Sequence, residues 1–341
     1  MQRLFLSATL MLFPLFLVNA QEYRWKAGFE YFFDNTEYSG SSFVGSQTMN
    51  GIWFNPIGSV KWDSVHALYG GVNLLKIPGM KKAIDKVDVT LYYQYQTPKI
   101  LFRAGAFPRK DVLSNYNTFF FKDSVNHFLP LIEGVFFRIG SGDNFFDAWM
   151  DWTGYATPTT RENFFIGFSG KAAHELFFAD FQSYMFHYAN TRPSTPDWGV
   201  SENMQLQASV GLQCDNPGTV GGMVSAGILM GYERDRHDEG RLFKPVGFTA
   251  RLNAEYHGIG TQNTFYVGDP RMRLFETFGG DLYWGTPFLR GKSYAESEWY
   301  IRFPKTRRTK AQLNLNLHFS EGNLFFQQML NVSVDIGNDV P

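Results

Sequence analysis

Seven histidines, His66, His127, His174, His187, His237, His257 and His318, are the side chains best suited to proton transfer near neutral pH. To act as a base in acyl or peptide hydrolysis, one of them needs a hydroxyl or a carboxylate beside it. None lies in a His-Glu-x-x-His pair, and Gly167-Phe168-Ser169-Gly170 is one residue short of a Gly-x-Ser-x-Gly elbow. Asp147 and Asp151, with His187 further along the chain, offer an acidic dyad plus a base; the alternative is that both are ordinary wall carboxylates. The tract Arg234-Asp235-Arg236-His237-Asp238-Glu239 mixes both signs and reads as a solvated loop rather than a metal site. The glycines of residues 218–222 precede no helix and make no phosphate loop. Cys214 is the single cysteine, so no internal disulfide forms. These patterns predict no enzyme, no cofactor and no metal.

The elements that would position such residues follow a two-residue beat. In 203–213, Met204, Leu206, Ala208, Val210 and Leu212 alternate with Gln205, Gln207, Ser209 and Gln213. The same pattern returns in 247–257 around Leu252 and Arg251, and in 312–320 around Leu315 and Asn314. Successive strand side chains point to opposite faces, so each segment has one apolar and one polar face. Turn residues divide the chain into about sixteen such segments. They run 23–34, 51–62, 65–76, 86–96, 99–107, 131–140, 144–152, 162–170, 175–188, 202–214, 221–233, 245–258, 262–268, 293–303, 310–320 and 323–336. Residues 64–76 and 175–188 are apolar on both faces, as expected of strands packed against a loop tucked inside.

Ahead of the strands stand Arg3, the apolar run Leu4–Leu17 and the small-residue site Val18-Asn19-Ala20. This order predicts a secretory signal peptide at residues 1–20, cleaved after Ala20, and a single domain over 21–341. No later apolar run is long enough for a spanning helix, and only helices and closed barrels satisfy their backbone in hydrocarbon. Aromatic residues make up 18% of the chain, enough for girdles at two membrane interfaces. The net charge of −1 implies no general attraction to nucleic acid. Connections alternate between long (35–50, 77–85, 108–130, 189–201, 234–244, 269–292) and short, including a turn at 171–174. That parity belongs to an antiparallel barrel with long extracellular loops. The fold class is therefore all-β, a transmembrane up-and-down barrel of about 16 strands, within 14–18.

Alternation places Arg24, Lys26, Lys61, Arg103, Arg138, Arg251 and Arg302 on the inner face, with Glu30, Asp34, Asp88, Asp147, Asp151, Asp180, Glu255, Glu296, Glu298 and Asp335. Arg24, Lys26, Glu30, Asp88, Arg103, Arg138, Asp147, Asp151, Arg251, Glu255, Glu296, Glu298 and Arg302 are the candidate pore-lining residues. Sixteen strands enclose an aqueous lumen, and such charges set solute preference there. Residues 109–129, with Phe119-Phe120-Phe121 among them, form either a constriction inside the lumen or an external lid. The loop Tyr283-Trp284-Gly285-Thr286-Pro287-Phe288 carries aromatics suited to stacking on a sugar or to packing on neighbouring loops.

From Gln21 to Asp335 the chain resembles Gram-negative outer-membrane β-barrels of porin type. It departs from them at its end, Val334-Asp335-Ile336-Gly337-Asn338-Asp339-Val340-Pro341, where such barrels usually close on an aromatic residue. The resemblance implies a place in the bacterial outer membrane, in contact with the lipid bilayer and lipopolysaccharide. The expected function is passive diffusion of small hydrophilic solutes, ions or sugars, through a homo-oligomer or alone. The alternative is a non-conducting barrel, plugged by residues 108–130, that serves a larger envelope complex. An outer-membrane lipid hydrolase or protease is a further alternative.

Overall fold

The computed structural model describes residues 21–338 apart from 197, 215–219, 238–240 and 305. The expected leader at 1–20, Gly218, Asp238, Glu239 and residues 339–341 lie outside the described residues. The strands are β1 (Glu22–Glu37), β2 (Gln47–Lys61), β3 (His66–Lys76), β4 (Lys86–Gln96), β5 (Ile100–Pro108), β6 (Leu131–Ser141), β7 (Asn144–Gly154), β8 (Asn163–His174) and β9 (Phe177–Tyr188). They continue as β10 (Ser201–Cys214), β11 (Gly221–Asp235), β12 (Arg241–Phe243), β13 (Val246–Tyr256), β14 (Ile259–Gly268), β15 (Ser293–Arg302), β16 (Thr309–Ser320) and β17 (Asn323–Gly337).

Apart from β12, every strand pairs antiparallel with its neighbours around the ring, and β1 closes the ring on β17 from Lys26↔Gly337 to Glu37↔Phe326. The three-residue β12 pairs only with the upper end of β11, which bonds directly to β13. The wall is thus a closed barrel of sixteen antiparallel strands, and no edge is left around the ring as a whole. Each expected segment is found. The turn expected at 171–174 is instead strand, and the chain reverses at Glu175, which adopts φ 54°. The seven longer connections share one end of the barrel; at that end only the Glu321-Gly322 turn is tight. By this asymmetry the long-loop end is extracellular.

The faces follow the alternation. Leu252 and Leu315 are exposed on the outside, while Gln207 and Asn314 are buried within. We predict that Leu315→Arg, at roughly 2–4 kcal/mol in a lipid-facing position, blocks assembly, while Asn314→Arg, beside Glu298, is tolerated. Heat-modifiable migration in gels reads this out, and equal tolerance would place the register one residue off. The two-faced apolar strands also find their reason. On β3, Tyr69 stacks on Tyr92 at 4.6 Å inside the wall. On β9, Tyr184 and Phe186 pack inward against Phe165 of β8. What fills the space in front of them is a loop.

Candidate functional site

The chain leaves β5 at Pro108, and after 22 residues enters β6 at Leu131, its neck closed by Arg109 N–H donating to Pro130 O at 2.7 Å. Between these points the loop crosses the lumen. Phe119, Phe120 and Phe121 are buried against Tyr184, Trp149, Phe165, Tyr266 and Tyr294 from opposite sides of the wall. Polar wall residues match the loop's backbone and amides. Gln182 accepts from Asn117 N–H (3.1 Å), Gln207 from Asn117 Nδ2 (2.7 Å) and Glu296 from Thr118 Oγ1 (3.0 Å). The fully buried Arg109 guanidinium holds Asp151 at 2.6 Å and the carbonyl of Leu131. The loop opens on a 3-10 turn at Arg109–Asp111 and carries one short α-helix, α1 (Asp123–Phe128).

A second inward loop, 269–292, lies against the first. Lys122 N–H donates to Trp284 O (2.8 Å), and Thr286 N–H donates to Thr118 O (2.9 Å). Glu233 anchors this second loop by accepting from Met272 N–H, Arg273 N–H and the Tyr283 hydroxyl. Tyr283 and Phe288 are accordingly buried, not displayed to a sugar. Of the two alternatives for 109–129, the structure holds the internal one, and it crosses the lumen where the sequence suggested an open passage.

The candidate pore-lining residues are largely spent on one another or on this plug. Arg138 grips Asp147 with both nitrogens (2.6 and 2.7 Å), Arg251 meets Asp180 (2.6 Å), and Arg302 pairs with Glu255. Arg103 binds Asp111 of the plug (3.0 Å), Glu30 binds Lys110, and Glu298 accepts from Asn314. Arg24 pairs with Glu22, Lys26 with Asp335 and Asp88 with Lys86. His187 stacks on Phe164 at 4.8 Å, so the Asp147, Asp151 and His187 set is not assembled.

A different set is. Asp34, near the extracellular end of β1, and His127 of α1 are 93 residues apart in sequence, yet His127 Nε2 lies 3.1 Å from Asp34 Oδ2. The carboxylate acceptor places the proton on Nε2 and leaves Nδ1 with a free lone pair. Nδ1 is buried and has no hydrogen-bond partner. The imidazole is clamped face to face on Phe32 (4.4 Å, 4° between planes), and Trp53 Nε1 donates to the His127 carbonyl at 2.9 Å. Asp34 is oriented in turn by Gln327 Nε2 at 2.8 Å. Gln327 also reaches Asp123 (3.1 Å) and His318 (2.9 Å), and His318 continues to the Tyr294 hydroxyl (2.8 Å). This network surrounds a cavity of about 120 Å³ whose lining includes Asp34, Lys122, Asp123, Ser124 and Glu296. Lys122 and Ser124 also line a larger vestibule of about 760 Å³ on the far side of α1.

Two charges in the loop are tuned by this setting. Burial lowers the Lys122 ammonium below the ordinary lysine range. Burial, reinforced by the Asp34 carboxylate, pushes Asp123 up to about 6, with His127 opposing. A folded-state pKa above the unfolded value means a stability contribution that is complete below 3.8 and lost as pH rises through about 6. Asp123→Asn should therefore raise the unfolding midpoint at pH 8 and leave it unchanged near pH 3.5. Circular dichroism melts at the two pH values check this, and equal shifts at both would contradict the assignment.

The model of the family described as "Lipid A 3'-O-deacylase-type" matches residues 19–336. That match overturns the expectation that the chain is no enzyme, because it spans nearly the whole barrel and points to ester hydrolysis. No relative is found by sequence among curated proteins. Solved structures share the fold. A loop L8 deletion mutant of OmpT, an outer membrane protein of Vibrio cholerae, aligns over 93% of this chain and 100% of its own, with 9% identity and a TM-score of 0.55. An anion-selective porin from Comamonas acidovorans aligns over 93% and 100%, with 7% identity and a TM-score of 0.54. OccK9 of Pseudomonas aeruginosa aligns over 93% and 98%, with 8% identity and a TM-score of 0.51. At these identities the likeness is one of outer-membrane barrel architecture, which brings the wall into contact with the lipid bilayer.

Proposed function

This chain belongs to the lipid A 3′-O-deacylase-type family, and on that premise we propose that it is an outer-membrane ester hydrolase that removes an O-linked acyl chain from a lipid A-type glycolipid. The observation that carries the reading is the buried Asp34–His127 pair with its unpartnered Nδ1. Among the described residues His127 Nδ1 has no side-chain hydroxyl as a partner, and in this reading it activates water as the nucleophile. His127 Nδ1 takes a proton as the water oxygen bonds to the ester carbonyl carbon, and Asp34 stabilises the imidazolium. The tetrahedral oxyanion collapses, the C–O bond to the sugar breaks, and the imidazolium returns its proton to the leaving alkoxide. The products are a fatty acid and a free sugar hydroxyl. Lys122, which lines both cavities and whose chain neighbour Asp123 begins the helix of His127, is the cation proposed to stabilise the oxyanion.

Supporting this over passive diffusion are the two inward loops, 109–130 and 269–292, which bond to each other and to the wall across the lumen rather than lining a single constriction. Export with cleavage after Ala20 would deliver the protein to the leaflet that holds such a substrate. Expression in a Gram-negative host that lacks the activity tests the proposal. The lipid A mass spectrum should gain a species lighter by one ester-linked acyl chain, and an unchanged spectrum with correctly assembled barrel would overturn it.

A further inference from the structure

The barrel wall is not of even height. β4 pairs with β5 only from Leu91↔Ala106 to Gln96↔Leu101, so Lys86–Thr90 have ladder partners on the β3 side alone. β5 peels inward at this level through Gly105, whose φ of +122° and approach to the Leu91 carbonyl admit no side chain. Across the gap, β6 pairs with β7 only below Gly134↔Asp151, so Trp152–Gly154 of β7 are joined to β8 alone. β5 and β6 stay paired to each other up to Pro108↔Leu131 but part from β4 above Leu91↔Ala106 and from β7 above Gly134↔Asp151, so a notch opens between β4 and β7 in the extracellular half of the wall. Its flank lies at membrane level, since Val87, Val89 and Leu91 are 56–61% exposed on the outer face. An unpaired strand edge facing hydrocarbon costs several kcal/mol per group unless a cavity or protein covers it. Here the space behind it is the 760 Å³ vestibule, whose lining includes Lys86 and Asp88 on one side, Trp152 and Thr153 on the other, and Leu129 and Pro130 at the sill. Lys86 Nζ bridges the opening by donating to Phe128 O at 2.9 Å.

We infer that this notch is a lateral port through which the acyl chain of an outer-leaflet lipid enters the vestibule from the bilayer, with its polar headgroup at the rim. The inference deepens the hydrolase reading and rests on it for the fate of the chain: the vestibule lining includes Lys122 together with Ser124 and Val125 of α1, the helix that carries His127. Its volume lies in the usual range for ligand pockets, about 300–1,000 Å³.

The test uses the full-length protein in phosphatidylethanolamine–phosphatidylglycerol vesicles doped with a phospholipid bearing a diazirine at one acyl terminus. Photolysis should label residues 122–130 inside the barrel as well as outward residues such as Val210 and Leu252. Val89→Trp and Leu129→Trp, which narrow the port, should cut the inner label at least about tenfold, the effect of losing a well-packed apolar contact, and spare the outer label. Label confined to outward residues in the wild type, or inner label indifferent to both substitutions, would overturn the port. Ester hydrolysis is read in parallel on a short, water-soluble ester. Inner label without hydrolysis would sink the hydrolase reading and leave the port standing; hydrolysis without inner label would do the reverse.

Discussion

His127→Ala should lower the rate of ester-linked acyl release by about 10²–10⁴-fold, the contribution of a positioned general base. The loss should come without loss of the barrel, because His127 sits in a loop and the sixteen-strand ladder does not pass through it. Asp34→Asn should fall in the same range, because its amide no longer holds the proton on Nε2 or stabilises the imidazolium. Combining the two should cost little more than either alone, as expected of residues that act as a unit. His318→Gln is the informative contrast. His318 shares the network through Gln327 and Tyr294 but makes no contact with His127, so activity should fall far less. Rates measured on detergent-solubilised, heat-modifiable protein decide the matter. Full activity in His127→Ala would remove the dyad from the mechanism.

Equally large is the change expected in planar bilayers when the plug is taken out. The wild-type protein should give no steady current, because residues 109–130 bridge Glu30, Trp53, Asp151, Gln182, Gln207, Glu296 and Gln327 across the lumen. Replacing 112–126 and 272–286 by short Gly/Ser linkers leaves a sixteen-strand wall, wide enough for an aqueous channel. Steady, ohmic conductance should then appear. Its selectivity should be mild and fade with salt, because Arg251 and Arg302 offset Asp180 and Glu255, and screening acts over about 8–10 Å. Wild-type currents as large as those of the doubly deleted barrel would show that the loops do not close the lumen.

The wall was readable because alternation survives wherever one face meets lipid, and the pattern around Leu206, Leu252 and Leu315 fixes strand, face and register together. Errors fell where the alternation weakens. Lys171-Ala172-Ala173 looked like a turn but continues β8, and the three residues of β12 are too short to show a period. The plug was legible only as one of two alternatives for 109–129, and its contacts were not legible for a different reason. Phe119-Phe120-Phe121 has no period of its own, and its partners Trp149, Tyr184 and Tyr294 come from strands scattered between positions 149 and 294. The dyad shares that difficulty. Asp34 was one of ten inward acids and His127 one of seven histidines, and only the loop's path across the barrel brings them within 3.1 Å. The double apolar faces of 64–76 and 175–188, with the Phe119-Phe120-Phe121 run in a long connection, were the signal that something packed inside the ring.

The central claim, that water activated by His127 cleaves an acyl ester, is tested most directly by isotope transfer. Purified protein and a lipid A-type glycolipid in mixed micelles are incubated in H₂¹⁸O, and the released fatty acid is analysed by mass spectrometry. Acyl–oxygen cleavage predicts one ¹⁸O in the carboxylate of the fatty acid after a single turnover, none in the sugar hydroxyl, and release slowed by about 10²–10⁴-fold in His127→Ala. No fatty acid released by the wild type, or ¹⁸O recovered in the sugar hydroxyl, would contradict it.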